Sequence, residues 1–289
     1  MSGVPLDLPE LFGAREVAEL LEANGLRLHK HLGQNFVVDP NTIRRVVRLA
    51  ELSPDDHVIE VGPGFGALTL GLLPEVRKVT AIEISAGVAD VLRSVIAERA
   101  PAWSDRLEIV VADAAVIDLA ALAPDATVLV SNLPYGPATT IVLDVLERAP
   151  GIGRMLVMVQ REVGERLVAD PADAAYGLPS LRVAMNGSAR IGGSVSAEVF
   201  FPPPRVASVL VEIVRRPDAL SVERQAAVMD LARPAFEQRR KMLRSSLRAR
   251  FDDAGFAAAE VAPTSRPERL DVASWLRLVD VSVRRQGES

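Results

Sequence analysis

The chain has 289 residues, 49% hydrophobic and 25% charged, enough to bury a full core and to form one large domain with a smaller companion. It has no cysteine and three histidines, which excludes disulfides, thiolate metal sites and thiol nucleophiles and argues against a histidine-based metal centre, so no metal is expected. A net charge of −5 argues against indiscriminate nucleic-acid binding. Residues 1–11 lack both a basic n-region and an apolar h-region, and no apolar run reaches membrane-spanning length, so a cytoplasmic protein is expected.

Residues 9–23 place Leu11, Phe12, Val17, Leu20 and Leu21 at helical spacing, with Asn24-Gly25 as a stop, and predict a packing appendage. Residues 27–37 set Gly33 and the amides of Gln34 and Asn35 in a basic stretch. This reads as a loop able to meet a carboxylate or a phosphate. Asp39-Pro40 then opens a helix predicted to run from 41 to about 52. Between Arg27 and Arg48 the chain carries Arg27, Lys30, Arg44, Arg45 and Arg48 against the single acid Asp39.

A buried strand at 57–61 breaks into Gly62-Pro63-Gly64-Phe65-Gly66 and then a helix at 67–73, so backbone N–H groups can approach a ligand with no Cβ in the way. The spacing is G-x-G-x-G, unlike the G-x-G-x-x-G of nicotinamide enzymes. Glu60, just before the turn, is expected to add negative charge, which suits a cationic or zwitterionic ligand better than a pyrophosphate. Glu83 ends the next strand, at 79–84, where an acidic side chain accepts from the two ribose hydroxyls of an adenosine. A third strand, 107–112, ends in Asp113, which can take an adenine amine.

The run 126–130 predicts a strand that leaves into a loop, Ser131-Asn132-Leu133-Pro134-Tyr135. There an asparagine amide, a stiffening proline and a flat aromatic face suit a planar, amine-bearing ring. A helix at 137–148, a strand at 155–160, a helix at 161–168 and extended segments near 181–191 continue the alternation, which predicts a mainly parallel sheet covered on both faces. Phe200 and Phe201 precede a polyproline turn and a last strand at 207–214, one of the two rings being expected in the core. Beyond Pro217 only helical patterns follow, at 222–233, 236–251 and 272–281. The stretch 233–250 carries seven Arg or Lys against Glu237 alone, a second basic patch fit to grip a phosphate backbone locally.

Several motifs in order resemble the KsgA (RsmA) family of small-subunit ribosomal RNA adenine dimethyltransferases. They are Leu32-Gly33-Gln34-Asn35-Phe36, Glu60 through Thr69, Asn132-Leu133-Pro134-Tyr135, Gln160-Arg161-Glu162-Val163 with Arg166-Leu167, Tyr176-Gly177, Phe200 through Val206, and Phe236 through Leu243. The resemblance covers residues 27–278 and leaves the extension before Arg27 outside it.

It implies an α/β fold, a Rossmann-like class I S-adenosylmethionine-dependent methyltransferase sheet with a small C-terminal all-helical domain. The implied boundaries are 1–26 for the N-terminal helical extension, 27–216 for the methyltransferase domain and 217–289 for a helical RNA-binding domain. It implies that the methyl donor is held by Asn35, Val37, Gly62, Gly64, Glu83, Asp113 and Asn132. The substrate would be two adjacent adenosines in the 3′-terminal hairpin loop of small-subunit rRNA within an immature subunit, each methylated twice on its exocyclic amine by a monomeric enzyme. Asn132 and the Leu133 carbonyl would aim the amine, Tyr135 and Phe200 would clamp the base, and Arg239, Arg240, Lys241, Arg244 and Arg248 would hold RNA.

The sequence departs from the pattern at Ser85, where relatives often carry an acid, and at Ala207, where many have Asp. An Erm-type enzyme of large-subunit rRNA and a DNA adenine methyltransferase are the neighbouring readings. The basic helical tail and the LPY form, in place of PPY, count against both. An RNA-binding assembly factor with secondary catalysis is a third reading, and the intact Asn132, Glu83 and glycine turn argue against a complete loss of catalysis.

Overall fold

The computed structural model describes residues 9–26 and 35–287, so Arg27, Lys30 and Leu32-Gly33-Gln34 lie outside the described residues. The chain divides into two compact units, one running to Gly164 and including Arg190–Val214, the other made of Glu165–Ala189 and residues from Arg215 onward.

The first unit opens with α1 (Ala14–Ala23), a short strand β1 (Phe36–Val37) and α2 (Pro40–Leu49). The Asp39 carboxylate caps α2 by accepting from the Asn41 and Thr42 amides, as the Asp-Pro pair predicts. Then β2 (His57–Val61), α3 (Ala67–Leu72), β3 (Lys78–Glu83), α4 (Ala86–Arg99), β4 (Leu107–Val111), α5 (Leu119–Leu122), β5 (Val128–Asn132), α6 (Ala138–Arg148) and β6 (Arg154–Gln160) alternate. All five residues of β2 are buried, the pattern of a strand covered on both faces.

The chain enters α7 (Arg161–Val168) and passes into the second unit for α8 (Leu178–Asn186). It returns along β7 (Gly187–Val195), whose residues from Arg190 on belong to the first unit, and finishes that unit with β8 (Phe200–Phe201) and β9 (Ser208–Arg215). The extended stretch expected near 181–191 is therefore half helix. The Asn186 amide donates to the Arg182 carbonyl and exchanges hydrogen bonds with Gln225, and the strand begins only at Gly187.

Seven strands form one sheet in the order β4-β3-β2-β5-β6-β9-β7, parallel through β6 and antiparallel between β6 and β9. Winding runs outward from β2 through β3 to β4, then restarts on the other side of β2 at β5. The crevice outside the carboxyl ends of β2 and β5 is thus the switch point at which open α/β sheets hold ligands. The ladder between these two strands pairs Val58 with Val128 and Ile59 with Leu129. Beyond it the buried Ser131 hydroxyl bridges the gap, donating to the Val61 carbonyl and accepting from the Val61 amide.

The second unit is helical: α8, α9 (Val222–Glu237), α10 (Leu243–Ser246), α11 (Asp253–Ala258) and α12 (Val272–Gly287) surround a core of Tyr176, Leu231, Phe256, Trp275 and Leu278. The expected helix over 236–251 does not form. Helix α9 continues through Pro234 to Glu237, the proline forgoing the hydrogen bond its N–H would have given the Asp230 carbonyl one turn earlier. Residues 238–242 then turn, and the Leu243 and Arg244 amides donate to the Ser265 and Pro263 carbonyls, which draws the chain out of helical pairing.

Candidate active site

The carboxyl ends of β2, β3, β4 and β5 open on a cavity of about 360 Å³, within the size range of small-molecule sites. Its lining brings together Asn35, Val37, Gly62, Gly64, Glu83, Asp113, Asn132, Leu133 and Tyr135. Phe200 is absent from that wall.

The glycine turn gives the cavity its floor. Gly62, Gly64 and Gly66 all have positive φ, at +68°, +58° and +96°. A Cβ at Gly64 would stand 2.8 Å from Phe36 Cε1, and Phe36 in turn stacks on Phe65 with ring centroids 4.6 Å apart. Gly64 has no room for a side chain because the Phe36 ring, stacked on Phe65, already fills the space a Cβ would take.

Two carboxylates stand behind it. Glu83 accepts from the Gly64 amide at 3.4 Å and the Ser85 amide at 3.0 Å, and burial pushes its pKa up. Glu60 is 1% exposed, accepts from the Thr69 hydroxyl at 2.6 Å, and burial pushes its pKa up to about 8, with Glu83 adding to the rise. Burial thus works against the standing negative charge expected before the turn, because taking the carboxylate out of water costs the anion more than one hydroxyl returns. Asp113 sits exposed at the rim and accepts from the Ala115 amide at 2.9 Å, which fixes its carboxylate in a tight turn.

Asn132 is the last residue of β5, not the first of a loop, and its backbone register with Met158 of β6 fixes where its side chain starts. Its amide nitrogen donates to the Asn35 carbonyl at 3.0 Å. The other end of the amide, Oδ1, is buried and accepts from no donor among the described residues. An unsatisfied buried acceptor is costly, and at a cavity wall it is an opening for a ligand N–H. The Leu133 amide is used by the Met158 carbonyl, and the half-buried Tyr135 bonds Ser208 Oγ through its hydroxyl at 2.8 Å. The Tyr135 ring is pinned at its polar end while lining the cavity.

The pairing of β1 with β8, Phe36 opposite Phe201 and Val37 opposite Phe200, joins two motifs far apart in the sequence. It also sorts the two rings: Phe200 is 2% exposed in the core, whereas Phe201 is half-buried at its edge. A clamp that uses Phe200 thus requires its ring to be uncovered when a base enters.

The departures have structural employment. The Ser85 hydroxyl caps α4 by accepting from the Val88 amide, and the Ala207 carbonyl accepts from the Arg161 amide. In the second unit Arg240, Lys241, Arg244 and Arg248 are exposed and make no ion pair among the described residues, while Arg239 is half-buried and donates to the Ala174 carbonyl. Arg239, Arg240 and Lys241 lie on a turn, Arg244 on a short helix and Arg248 on the turn that follows it, not on one long helical face. Sequence reasoning missed Phe12 and Val17, which α1 and the segment before it bring to the cavity wall; their helical spacing marked them as apolar packing and nothing more. It also missed Ser208, whose bond with Tyr135 spans 73 residues.

A model of the family described as ribosomal RNA adenine dimethylase matches residues 25–283. The chain is 48% identical over 271 residues to the ribosomal RNA small subunit methyltransferase A of Acidothermus cellulolyticus, covering 92% of this chain and 93% of that one. It is 45% identical to the protein of the same name from Thermobifida fusca, with 92% and 94% covered. Among solved structures, the 23S rRNA methyltransferase ErmE matches with a TM-score of 0.66 at 27% identity over 86% of this chain and 99% of that one. A dimethyladenosine transferase from Plasmodium falciparum shares the fold with a TM-score of 0.69 at 22% identity, over 83% and 94%.

Proposed function

The chain belongs to the ribosomal RNA adenine dimethylase family, and on that footing we propose that it moves methyl groups from S-adenosylmethionine to the exocyclic amines of two adjacent adenosines in the 3′-terminal hairpin loop of small-subunit rRNA, during subunit assembly in the cytoplasm. The observation that carries this reading is the buried, unpartnered Oδ1 of Asn132 at the wall of a cavity built on a glycine turn. Small-subunit rRNA is favoured over large-subunit rRNA because relatives at 45–48% identity carry the small-subunit name, against 27% for ErmE.

The cavity fits the donor. Gly62 and Gly64 of the turn, Glu83 and Asp113 all line it, and they would hold the donor's amino-acid end, its ribose hydroxyls and its adenine amine respectively. When bound, S-adenosylmethionine supplies an electrophilic methyl group on a positively charged sulfur.

The protein's own residues then act on the acceptor. An adenine amine is a weak nucleophile because its lone pair is delocalised into the ring. Asn132 Oδ1 and the Leu133 carbonyl accept its two N–H bonds, which aims the nitrogen and enriches it in electron density. The aimed nitrogen would take the methyl group as the C–N bond forms and the donor's C–S bond breaks, and its proton would leave to water afterwards, so no general base is required of the protein. Alignment in a closed site contributes up to about 7 to 11 kcal/mol through effective molarity. A base drawn out of structured RNA loses its stacking, and the Tyr135 face, held at its hydroxyl by Ser208, replaces part of it.

Asn132→Ala tests the assignment. It is expected to slow methyl transfer on the order of 100-fold, the cost of a misplaced reacting group, while the protein still binds immature small subunits. Transfer at the parental rate would overturn the role given to Oδ1.

A further inference from the structure

The segment before Arg27 lies outside the motifs of the fold family, yet it touches the cavity. Phe12 and Val17 line it and are 2% and 1% exposed. Residues near both ends of its stretch from Glu10 to Leu26 meet α4, the helix that leaves the Glu83 strand. At one end Arg99, the last residue of α4, holds three points: its guanidinium carbon stands 4.5 Å over the Phe12 ring, Nη2 bonds Glu16 Oε1 at 2.6 Å, and Nη1 reaches the Glu10 carbonyl at 3.5 Å. The Glu16 carboxylate also accepts from the Gly13 amide at 2.8 Å, and the Arg99 guanidinium holds its pKa below the usual range. At the other end, Leu26 Cδ2 stands 3.1 Å from the position a Cβ on Gly87 would take, in the first turn of α4.

We propose that residues 10–26 are a removable wall of the methyl-donor pocket, latched shut by Arg99, and that the latch sets how tightly donor and spent donor are held. The proposal rests on the reading of the cavity as the S-adenosylmethionine site. The physical argument is one of populations. The wall is one helix and the segment before it, held by the apolar packing of Phe12 and Val17 in the core and by polar contacts that converge on Arg99, so removing that one side chain shifts the closing equilibrium toward the open state. If the donor binds the closed state, its apparent affinity falls in proportion to the closed fraction. Arg99 is thus a positioning residue. It acts through Phe12 and Glu16, on binding and release, and leaves the methyl-transfer step itself alone.

The test measures S-adenosylhomocysteine binding by calorimetry, and donor KM and kcat, for the full chain and for Arg99→Ala, Arg99→Lys and Glu16→Gln. Arg99→Ala is expected to weaken binding about five- to tenfold and to raise donor KM alike with kcat at saturating donor unchanged, because removing the cation–π interaction and the ion pair lowers the closed fraction. Glu16→Gln, which keeps the cation–π interaction, is expected to show a smaller rise, and Arg99→Lys a partial rescue. Unchanged binding in variants that merely melt earlier would overturn the latch and leave a structural strut. Failure of the parental protein to bind S-adenosylhomocysteine at all would instead overturn the reading of the cavity.

Discussion

Asn132 is fixed by its nitrogen and has no partner at its oxygen among the described residues, and its proposed role toward an amine rests on that asymmetry. Two neighbouring residues give further tests at this scale. Gly64→Ala puts a methyl group against Phe36 on a backbone with φ of +58°. It is expected to cost about 1–2 kcal/mol in urea unfolding, the penalty for a left-handed L-residue, and to lose donor binding; unaltered binding would contradict the cradle. Glu60 gives a pH signature. Burial pushes its carboxyl up to about 8 from the ordinary 4.5, which favours the protonated form in the folded chain between those values. The stability this group contributes is present below about 4.5 and is lost as pH rises toward and through 8. A cationic ligand in the cavity favours the anion, so donor binding near neutral pH is expected to release a proton, detected by calorimetry in buffers of different ionisation enthalpy, and Glu60→Gln is expected to abolish the release. Binding without proton exchange in the parental protein would contradict the assignment.

At the scale of elements, the strand tips were legible. Glu83, Asp113 and the glycine turn each end a run of β-formers, and period and punctuation suffice to order them. What stayed hidden depends on pairings between distant parts of the chain. The β1–β8 pairing joins Phe36 to Phe201, and two-residue strands carry no periodicity to detect. The break after Glu237 is set by hydrogen bonds to 263–265, which override good helix formers. The opposite error arises at Pro234, which reads as a stop but falls where the helix is about to end anyway. Tyr135 gains its orientation from Ser208 at the start of β9, so the two should be coupled: Tyr135→Ala removes a stacking face worth roughly 1–3 kcal/mol and is expected to slow turnover about 5- to 150-fold. Tyr135→Phe keeps the face, frees only the hydroxyl end and is expected to have a smaller effect. Equal turnover for Tyr135→Ala and the parental enzyme would remove the clamp from the account.

At the scale of the whole molecule, an acidic chain carries its cations in clusters. Arg240, Lys241, Arg244 and Arg248 are exposed without ion pairs among the described residues, the state expected of side chains kept for phosphates. Replacing Lys241 and Arg244 by alanine is expected to lower the slope of log affinity against log salt by about 0.7 for each single-strand phosphate that these cations neutralise; an unchanged slope would move the RNA surface elsewhere. The charge pattern was plain in the sequence, whereas its display on turns and a short helix was not. The most direct measurement is methyl transfer from labelled S-adenosylmethionine to small ribosomal subunits from a strain lacking the modification, with large subunits and duplex DNA in parallel and nucleoside mass spectrometry of each product. Dimethyladenosine confined to small-subunit RNA is the predicted result. Methylation of large-subunit RNA, or tight binding to small subunits with no methyl transferred, would contradict it.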